Sequence, residues 1–347
     1  MNLNQITIES TATVLDALNK LNQIRKVSRL ILFVKNHDHK IIGSITDGDI
    51  RRSLAVNQDL NKSVEEVCFK SFIHHIEDGD FIDLSIYRAQ NIKILPVLHK
   101  DGTLSRVLDL EIIKSTLPLE CMIMAGGRGK RLSPLTDSIP KPMLPLGDKP
   151  IIEHNIDRLI SYGVQKIYIS VKYLGEQIKT YFGDGTSKGI QIEYIWEDEP
   201  LGTAGALTLV DKFNSDYVLL MNSDLFTSVN FEEMYLLLLK EKADMVVAST
   251  EYKVDVPYAV FETDGNLVKD FKEKPSYIYQ SNAGIYILKR ELIDQMTRNE
   301  YCDITDVMEK LVKDGGKLVY DPILGFWIDI GKPSDYKQAQ EFIKHFK

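Results

Sequence analysis

The stretch Met122–Pro145 constrains the fold of this chain more than any other. It begins with an apolar strand, continues through a loop with three glycines, and ends in a Pro-Lys-Pro turn centred on Lys141. The glycines are Gly126, Gly127 and Gly129. Because glycine has no side chain, backbone N–H groups of such a loop can approach phosphate oxygens closely. The stretch therefore predicts a strand that leads into a phosphate-binding loop, with Arg131 and Lys141 supplying positive charge.

Length and composition indicate a soluble protein of two domains. The chain has 347 residues, of which 44% are hydrophobic and 27% charged, and this length exceeds that of one typical domain. No apolar run approaches the roughly 20 residues of a membrane span, and the polar N-terminus does not read as a signal peptide. The three scattered cysteines suggest neither a disulfide framework nor a zinc site. We expect a cytoplasmic protein with no membrane partner.

The charge distribution argues against nucleic acid as a partner and separates two regions. The formal net charge is −8, and residues 1–117 carry fifteen basic and fifteen acidic residues, so the whole imbalance lies in residues 118–347. A boundary falls near Ser115–Glu120, where a proline interrupts the pattern before the next strand. The predicted domains are therefore residues 1–117 and 118–347.

The first region repeats itself with a predicted offset of 62 residues. Leu32–Val34 matches Ile94–Pro96, and Ile45–Ile50 matches Val107–Ile112. Each copy reads as helix, strand, strand, helix, and two such units could pack around one core. We expect Thr13 to cap the first helix and Asp47 to cap the helix that follows Ile45.

This repeat resembles a tandem pair of CBS domains (a Bateman module), an α+β unit that binds adenine nucleotides or related ligands. The resemblance implies that Thr46 and Asp49 contact the phosphate and ribose of an adenine or guanine nucleotide. Leu108 and Glu111 are predicted to replace them in the second copy. A purely structural dimerisation module is the alternative, and either role is compatible with a homo-oligomer.

The second region alternates strands and helices. Apolar runs Lys166–Val171, Ile190–Ile195 and Tyr217–Met221 predict buried strands, and Ile151–Ile160, between the strand at Cys121–Met124 and the first of these runs, predicts a helix. Such alternation favours a largely parallel sheet, whose ligands lie at the carboxyl ends of the strands. A final helix is predicted from Pro333 to Phe346.

The glycine-rich loop is not a P-loop, because no Gly-Lys-Ser/Thr follows it. It is not a dinucleotide fingerprint either, because no helix is predicted to begin directly after it. The pattern GGRGKRLSPLT…PKPMLP resembles the signature of the sugar-1-phosphate nucleotidyltransferases, whose Rossmann-like (GT-A-like) fold has a mixed, mainly parallel sheet. Five later segments match that family in order. They are Glu197–Gly205, Asn222–Asp224, Glu273–Pro275, Asn282–Tyr286 and Trp327–Gly331.

The resemblance implies four groups of site residues. The catalytic residues are Arg131, Lys141 and Lys274. The nucleotide-binding residues are Ala125, Gly126, Gly127, Gly129, Glu197, Gly202 and Thr203. The sugar-binding residues are Glu273, Asn282, Gly284 and Tyr286, and the Mg²⁺ ligands are Asp224 and Asp329.

These residue types suit the transfer of a nucleotidyl group to a sugar 1-phosphate. That phosphate is already an anionic nucleophile, so the chemical difficulty is to bring two anions together and to stabilise the leaving pyrophosphate. Arg131 suits the β- and γ-phosphates, Lys141 the α-phosphate and Lys274 the sugar phosphate. Mg²⁺ takes carboxylate and phosphate oxygens.

The base and the sugar are less determined. A carboxylate such as that of Glu197 only accepts hydrogen bonds, and guanine presents two adjacent donors, so GTP is favoured over UTP or dTTP. Contact of Glu197 with ribose would remove this preference. The Pro-Lys-Pro turn and the segment EPLGTAGAL resemble those of the mannose-1-phosphate guanylyltransferase branch of the family. The combination of a CBS pair with this transferase resembles enzymes of nonulosonic (legionaminic) acid pathways, which guanylylate glucosamine 1-phosphate.

Two other functional classes stay open. A glycosyltransferase would usually carry Asp-x-Asp where this chain has Asn222-Ser223-Asp224. A non-catalytic nucleotide sensor would not need the catalytic and metal-binding residues together. No hexapeptide repeat follows Gly331, which argues against an acyltransferase domain of the kind found in some relatives.

Overall fold

A computed structural model describes residues 3–24, 28–77 and 81–345 of the chain. They form two compact units, of which the first extends up to Pro118 and adds Ile160–Gly163, and the second comprises Leu119–Leu159 and the chain from Val164 onward. Among the described residues, no helix has both the length and the apolar character needed to cross a membrane.

The first unit contains two three-stranded sheets of the same topology. In each sheet the first strand runs parallel to the central strand and the third runs antiparallel to it. The strands are β1 (Thr7–Glu9), β2 (Ile31–Lys35), β3 (Ile41–Thr46), β4 (His75–Ile76), β5 (Ile94–Leu98) and β6 (Leu104–Asp109). The helices are α1 (Leu3–Ile6), α2 (Val14–Gln23), α3 (Asp47–Asn57), α4 (Val64–Val67) and α5 (Leu84–Ala89). The predicted internal repeat is therefore present in the fold.

The strand register corrects the alignment of the two copies. Ile31 pairs with Thr46 in the first copy. Ile94 pairs with Asp109 in the second, so both members of the pair recur 63 residues later and not 62. Asp109, not Leu108, therefore takes the place of Thr46. Strand β5 is buried at every position, and such a continuous apolar run has no alternation from which a one-residue shift could be detected.

Helix starts in this unit follow capping chemistry. Thr13 caps α2 as predicted, but α3 is capped by Thr46, and the prediction for Asp47 was wrong because Asp47 is the first residue of the helix. The helix predicted at the end of the second copy is absent from the described residues. Strand β6 ends at Asp109, and residues 110–118 before the next strand hold only a turn and irregular chain that includes Pro118.

The second unit is built on a seven-stranded mixed sheet. The unit has the following strands, some of which lie outside the large sheet: β7 (Leu119–Met124), β8 (Pro145–Leu146), β9 (Lys149–Pro150), β10 (Lys166–Val171), β11 (Gln191–Trp196), β12 (Tyr217–Asn222), β13 (Leu225–Thr227), β14 (Met245–Asp255), β15 (Val260–Asp264), β16 (Leu267–Lys272), β17 (Ser276–Lys289), β18 (Leu318–Pro322) and β19 (Trp327–Asp329). The large sheet has the order β11-β10-β7-β12-β17-β14-β18, and only β17 runs antiparallel to its neighbours. The predicted mixed, mainly parallel α/β fold is confirmed.

Seven α-helices of the described residues belong to this unit, and the last of them is the last described element of the chain. They are α6 (Ile151–Ser161), α7 (Gly175–Phe182), α8 (Gly202–Gly205), α9 (Phe231–Glu241), α10 (Arg290–Asp294), α11 (Ile304–Lys313) and α12 (Pro333–His345). Short 3₁₀ turns occupy Lys130–Leu132, Lys141–Met143, Thr186–Lys188 and Ala206–Leu209. The predicted strand Lys166–Val171 is reproduced residue for residue, and the last helix matches its prediction apart from Phe346, which lies outside the described residues.

The order of the parallel strands determines where a site can form. Strands β11, β10, β7 and β12 are consecutive in the sheet and point the same way. The loops that follow them therefore meet at one edge. In contrast, the hairpin of β15 and β16 and the outer ends of β14 and β17 are mostly exposed.

Candidate active site

A cleft of about 760 Å³ opens at the carboxyl ends of these four parallel strands. It is lined by nine of the residues that the sequence predicts for the site. They are Gly126, Gly127, Gly129, Arg131, Lys141, Glu197, Gly202, Thr203 and Asp224. The fold thus brings together residues that are far apart in the chain.

The glycine-rich loop that follows strand β7 has backbone N–H groups available to a ligand. The N–H of Ala125, which is buried, bonds the Ser170 carbonyl at 2.9 Å. Among the described residues, the N–H groups of Gly126 and Gly127 make no backbone hydrogen bond. Gly129 has φ +64°, and a Cβ there would lie 2.9 Å from the Cβ of Lys141. A side chain at this position would therefore push Lys141 away from the loop.

Lys141 and Asp224 form an ion pair on the floor of the cleft. The ammonium group of Lys141 donates to Asp224 Oδ2, and the two side chains are only 11% and 21% exposed. The second oxygen of Asp224, Oδ1, is buried and has no hydrogen-bond partner within the described residues. Because a buried carboxylate oxygen is costly to leave unpaired, this atom is suited to a cation.

Asp329 lies beside this pair. Strands β13 and β19 pair Leu225 with Asp329, which places Asp329 next to the residue that follows Asp224. Burial raises the pKa of the Asp329 carboxyl and the Asp224 carboxylate raises it further, while Lys141 and Arg131 oppose the shift. A divalent cation would stabilise the charged form of Asp329, which burial and the neighbouring Asp224 disfavour.

The donor set fits Mg²⁺ better than a metal held entirely by protein. Within the described residues no group of three or more His, Cys, Asp and Glu side chains is arranged to hold a metal. Mg²⁺ usually takes one or two carboxylates and completes its shell with water and substrate phosphates. Asp224 and Asp329 supply two carboxylates, and Oδ1 of Asp224 has no other hydrogen-bond partner among the described residues.

Glu197 is fixed on the other side of the glycine loop. Its Oε1 accepts a hydrogen bond from the Ser170 hydroxyl, and its Oε2 accepts one from the Leu201 N–H at 3.0 Å. A Cβ on Gly126 would lie 3.1 Å from Glu197 Oε1. The carboxylate is therefore held rigidly against the loop, and each oxygen has a lone pair left for a ligand.

Asp303 also lines the cleft and was not predicted. Its Oδ1 accepts a hydrogen bond from the Thr203 N–H at 3.3 Å, and the Cys302 carbonyl accepts from Ala204 and Gly205 at 2.9 Å. Asp303 follows Thr203 by a hundred residues and reads in the sequence as the N-cap of α11, which it is. Only the fold shows that it also holds the helix α8.

Sequence reasoning also missed cations in the cleft. Arg128, Lys130 and Lys172 line it together with Tyr173, and the Arg128 guanidinium lies 5.3 Å from the centre of the Tyr173 ring. The pattern GGRGKR holds the signal for two of them, since Arg128 and Lys130 alternate with the glycines of the loop.

Besides Ala125 and Asp329, five predicted residues lie outside the set that lines this cleft. They are Glu273, Lys274, Asn282, Gly284 and Tyr286. Glu273 and Lys274 occupy the exposed turn between β16 and β17, whereas the Tyr286 side chain is only 3% exposed and burial raises its pKa. Asn282 accepts a hydrogen bond from the Gly284 N–H at 2.9 Å. A sugar-binding role for these residues stays a prediction.

In the first unit, Thr46 and Asp49 bond each other. Asp49 accepts hydrogen bonds from the Thr46 N–H and hydroxyl at 2.8 and 2.6 Å, and the Thr46 hydroxyl accepts one from the Asp49 N–H at 3.3 Å. The other oxygen of Asp49 pairs with Arg52 at 2.6 Å. This capping box serves the start of α3, and a ligand-binding role for either residue also stays a prediction.

Family models match both parts of the chain. Residues 120–345 match the model described as nucleotidyl transferase, and residues 1–56 match the CBS domain. The second copy of the repeat stays a predicted CBS domain on the grounds of its topology.

Curated relatives match about two thirds of the chain. The chain is 35% identical over 229 residues to "Probable mannose-1-phosphate guanylyltransferase 1" of Oryza sativa subsp. japonica, covering 63% of each chain. It is 34% identical over 249 residues to a UTP–glucose-1-phosphate uridylyltransferase of Synechocystis sp., covering 64% of this chain and 62% of that protein. The chain thus spans under two thirds of the length of these relatives.

A shorter relative is covered completely. The D-glycero-alpha-D-manno-heptose 1-phosphate guanylyltransferase of Aneurinibacillus thermoaerophilus is 33% identical over 233 residues, which are 66% of this chain and 100% of that protein. Among solved structures, HddC from Yersinia pseudotuberculosis complexed with GMP-PN matches with a TM-score of 0.51 at 26% identity, covering 65% of this chain and 99% of that one. From its sequence, fold and cleft, the chain belongs to the nucleotidyl transferase family and carries a CBS domain within its first 56 residues.

Proposed function

We propose that the second unit transfers a nucleotidyl group from a nucleoside triphosphate to a sugar 1-phosphate and releases pyrophosphate. One observation carries the proposal. A single cleft combines a glycine loop whose Gly126 and Gly127 N–H groups make no backbone hydrogen bond within the described residues, the cations Arg131 and Lys141, and the carboxylate Asp224, and Asp329 lies beside Asp224. This combination suits a polyanion with a divalent cation.

We assign each residue the role that the family resemblance implies. Arg131 lies in the glycine loop and would hold the β- and γ-phosphates, where its fork of donors matches phosphate oxygens. Lys141 would place its charge on the α-phosphate, at which the sugar phosphate oxygen attacks as the bond to the leaving pyrophosphate breaks. Lys274 would hold the sugar phosphate. The sugar phosphate needs no general base because it is already ionised.

Asp224 and Asp329 would hold Mg²⁺, which neutralises phosphate charge when bound. The buried Asp224 Oδ1 without a partner supports this assignment. The Lys141 ammonium group compensates the charge of Asp224 from one side only.

We favour GTP as the triphosphate, with mannose 1-phosphate or glucosamine 1-phosphate as the acceptor. Glu197 is anchored by Ser170 and Leu201, so its remaining lone pairs face a fixed direction and suit the two adjacent donors of guanine. The named guanylyltransferases among the relatives support this choice. A UTP- or dTTP-dependent enzyme is the alternative, because a uridylyltransferase is similar to the same extent.

The decisive experiment measures pyrophosphate release from four triphosphates, each combined with several sugar 1-phosphates and Mg²⁺. We expect release only when all three are present, and fastest with GTP. No turnover with any pair would overturn the catalytic proposal, and a clear preference for UTP or dTTP would overturn the choice of base alone.

We further propose that the first unit binds an adenine or guanine nucleotide and that the protein is a homo-oligomer. The repeat with identical sheet topology supports the comparison with CBS pairs. Calorimetry with AMP, ATP and GTP tests the ligand, and light scattering tests the assembly.

A further inference from the structure

Three cations of one short loop line the cleft. Arg128, Lys130 and Arg131 stand within four consecutive positions of the glycine-rich loop, and all three contribute to the cleft wall. Within the described part of the chain, none of the three has a carboxylate partner at ion-pair distance. The other two lysines of the cleft differ in this respect, since Lys141 pairs with Asp224 and Lys172 lies 3.6 Å from Glu199.

The local charge of the cleft is opposite to that of the chain. Its wall carries five cationic side chains and three carboxylates, the latter from Glu197, Asp224 and Asp303, whereas the chain as a whole has a net charge of −8. Within the described residues, the cleft cations without an ion-pair partner lie in the glycine loop, next to the N–H groups of Gly126 and Gly127, which make no backbone hydrogen bond there. A concave site with such an excess concentrates anions of high charge density.

Arg128 is held in a defined position although it is exposed. Its guanidinium group lies over the Tyr173 ring, and the Tyr173 hydroxyl donates a hydrogen bond to the Asp137 carbonyl at 2.9 Å. Stacking on an aromatic ring leaves the in-plane N–H donors of a guanidinium free for an anion. Arg128 is thus oriented by the ring, and its guanidinium group makes no hydrogen bond to the described residues.

The proposed reaction assigns only Arg131 to the phosphate tail. Resting on that proposed function, we propose that Arg128 and Lys130 act with Arg131 to bind the terminal phosphates of the triphosphate and then the pyrophosphate that leaves. They set the affinity for the pyrophosphate moiety, and they leave the attack at the α-phosphate to Lys141. A nucleoside monophosphate, which lacks the terminal phosphates, does not use them.

The test is calorimetry of inorganic pyrophosphate and of GMP, both with Mg²⁺, on the full chain. The variants are Arg128→Gln, Lys130→Gln, their double variant and Arg128→Lys. Lys337→Gln is the matched control, since it removes one exposed positive charge from α12, outside the cleft.

We expect the double variant to bind pyrophosphate at least tenfold more weakly and GMP within twofold of the wild type, with the loss shrinking at high salt. Arg128→Lys keeps the charge and should retain more than half of the affinity, and the control should be unchanged. The inference is overturned if the wild type does not bind pyrophosphate, if the double variant loses less than tenfold, or if GMP weakens in parallel. Absence of turnover alongside a selective loss of pyrophosphate would overturn the proposed function and leave this inference standing.

Discussion

The ammonium group of Lys141 bonds one oxygen of Asp224, while the other oxygen of the same carboxylate is buried without a partner among the described residues. This one-sided compensation is unfavourable in a protein that only needs to be stable. It is consistent with a site whose charges are completed by a ligand.

Asp224→Asn should abolish most turnover without unfolding the protein. The amide keeps the shape and an acceptor for Lys141 but removes the negative charge that a cation requires, so we expect kcat to fall by about 10² or more. Pyrophosphate release and circular dichroism measure the two effects. Asp211→Asn, at a 90% exposed side chain, is the control, and near-normal turnover in Asp224→Asn would show that the metal role is misassigned.

Mg²⁺ should bind more tightly as pH rises through the titration of Asp329. Its pKa is raised by burial and by Asp224, so in weakly acidic solution a proton competes with the cation for a ligand that an ordinary aspartate would already offer. Mg²⁺ titrations followed by turnover at a series of pH values from 4 to 7 check this. An apparent affinity independent of pH, or one that weakens with pH, would contradict the assignment of Asp329.

Gly202→Ala should distort the base side of the cleft. Gly202 has φ +75°, and a Cβ there would lie 2.6 Å from the Cys302 carbonyl oxygen and 2.8 Å from Asp303 Oδ1. We expect a loss of stability of about 1–3 kcal/mol and a higher KM for the triphosphate.

Gly189→Ala separates the effect of backbone strain from the effect of contacts with Cys302 and Asp303. Gly189 has the similar φ of +74°, but a Cβ there would meet nothing within 4 Å. It should lose stability through backbone strain alone and keep the KM of the wild type. Equal KM values in both variants would show that the contact of Gly202 with Cys302 and Asp303 does not shape the nucleotide site.

The fold of the second unit follows from its sequence because local signals and global arrangement agree. Apolar runs such as Lys166–Val171 become buried strands with the expected bounds, and Arg131, Lys141 and Glu197 meet because each follows a parallel strand or packs beside one. What the sequence does not reveal depends on contacts between distant segments. Asp303 reads as a helix cap, and no local pattern shows that it also bonds Thr203.

The exposed turn at Lys274 is a second feature whose position cannot be predicted from the sequence. Its motif predicts a phosphate-binding residue, yet the position of the turn depends on the pairing of two long strands, β14 and β17, whose register shifts between Val247 and Ser249. In the first unit, the continuous burial of β5 concealed the true register of the repeat. Periodicity indicates which face of a strand is buried only when one face is exposed.

Asp321→Asn should stabilise the protein above pH 6 and have little effect near pH 4. Burial and the nearby Glu233 raise the pKa of Asp321 from its ordinary value of 3.8 to about 6. Since the folded form holds the proton more tightly than the unfolded chain, the native state loses stability as pH rises through this window. The difference in Tm between variant and wild type, measured from pH 4 to 8, should grow through that window and then level off. A difference that is constant or shrinks would contradict the shift.

Asp49→Ala should remove nucleotide binding from the first unit, and Asp16→Ala should not. Both carboxylates complete the same capping box, Asp49 with Thr46 at α3 and Asp16 with Thr13 at α2. Each variant should therefore lose about 1 kcal/mol of stability for the same reason. Only Asp49 lies where the CBS resemblance places the ribose, so calorimetry with AMP, ATP and GTP should show a loss of at least tenfold in affinity for Asp49→Ala alone. Equal isotherms for the two variants would mean that Asp49 serves the helix and not a ligand.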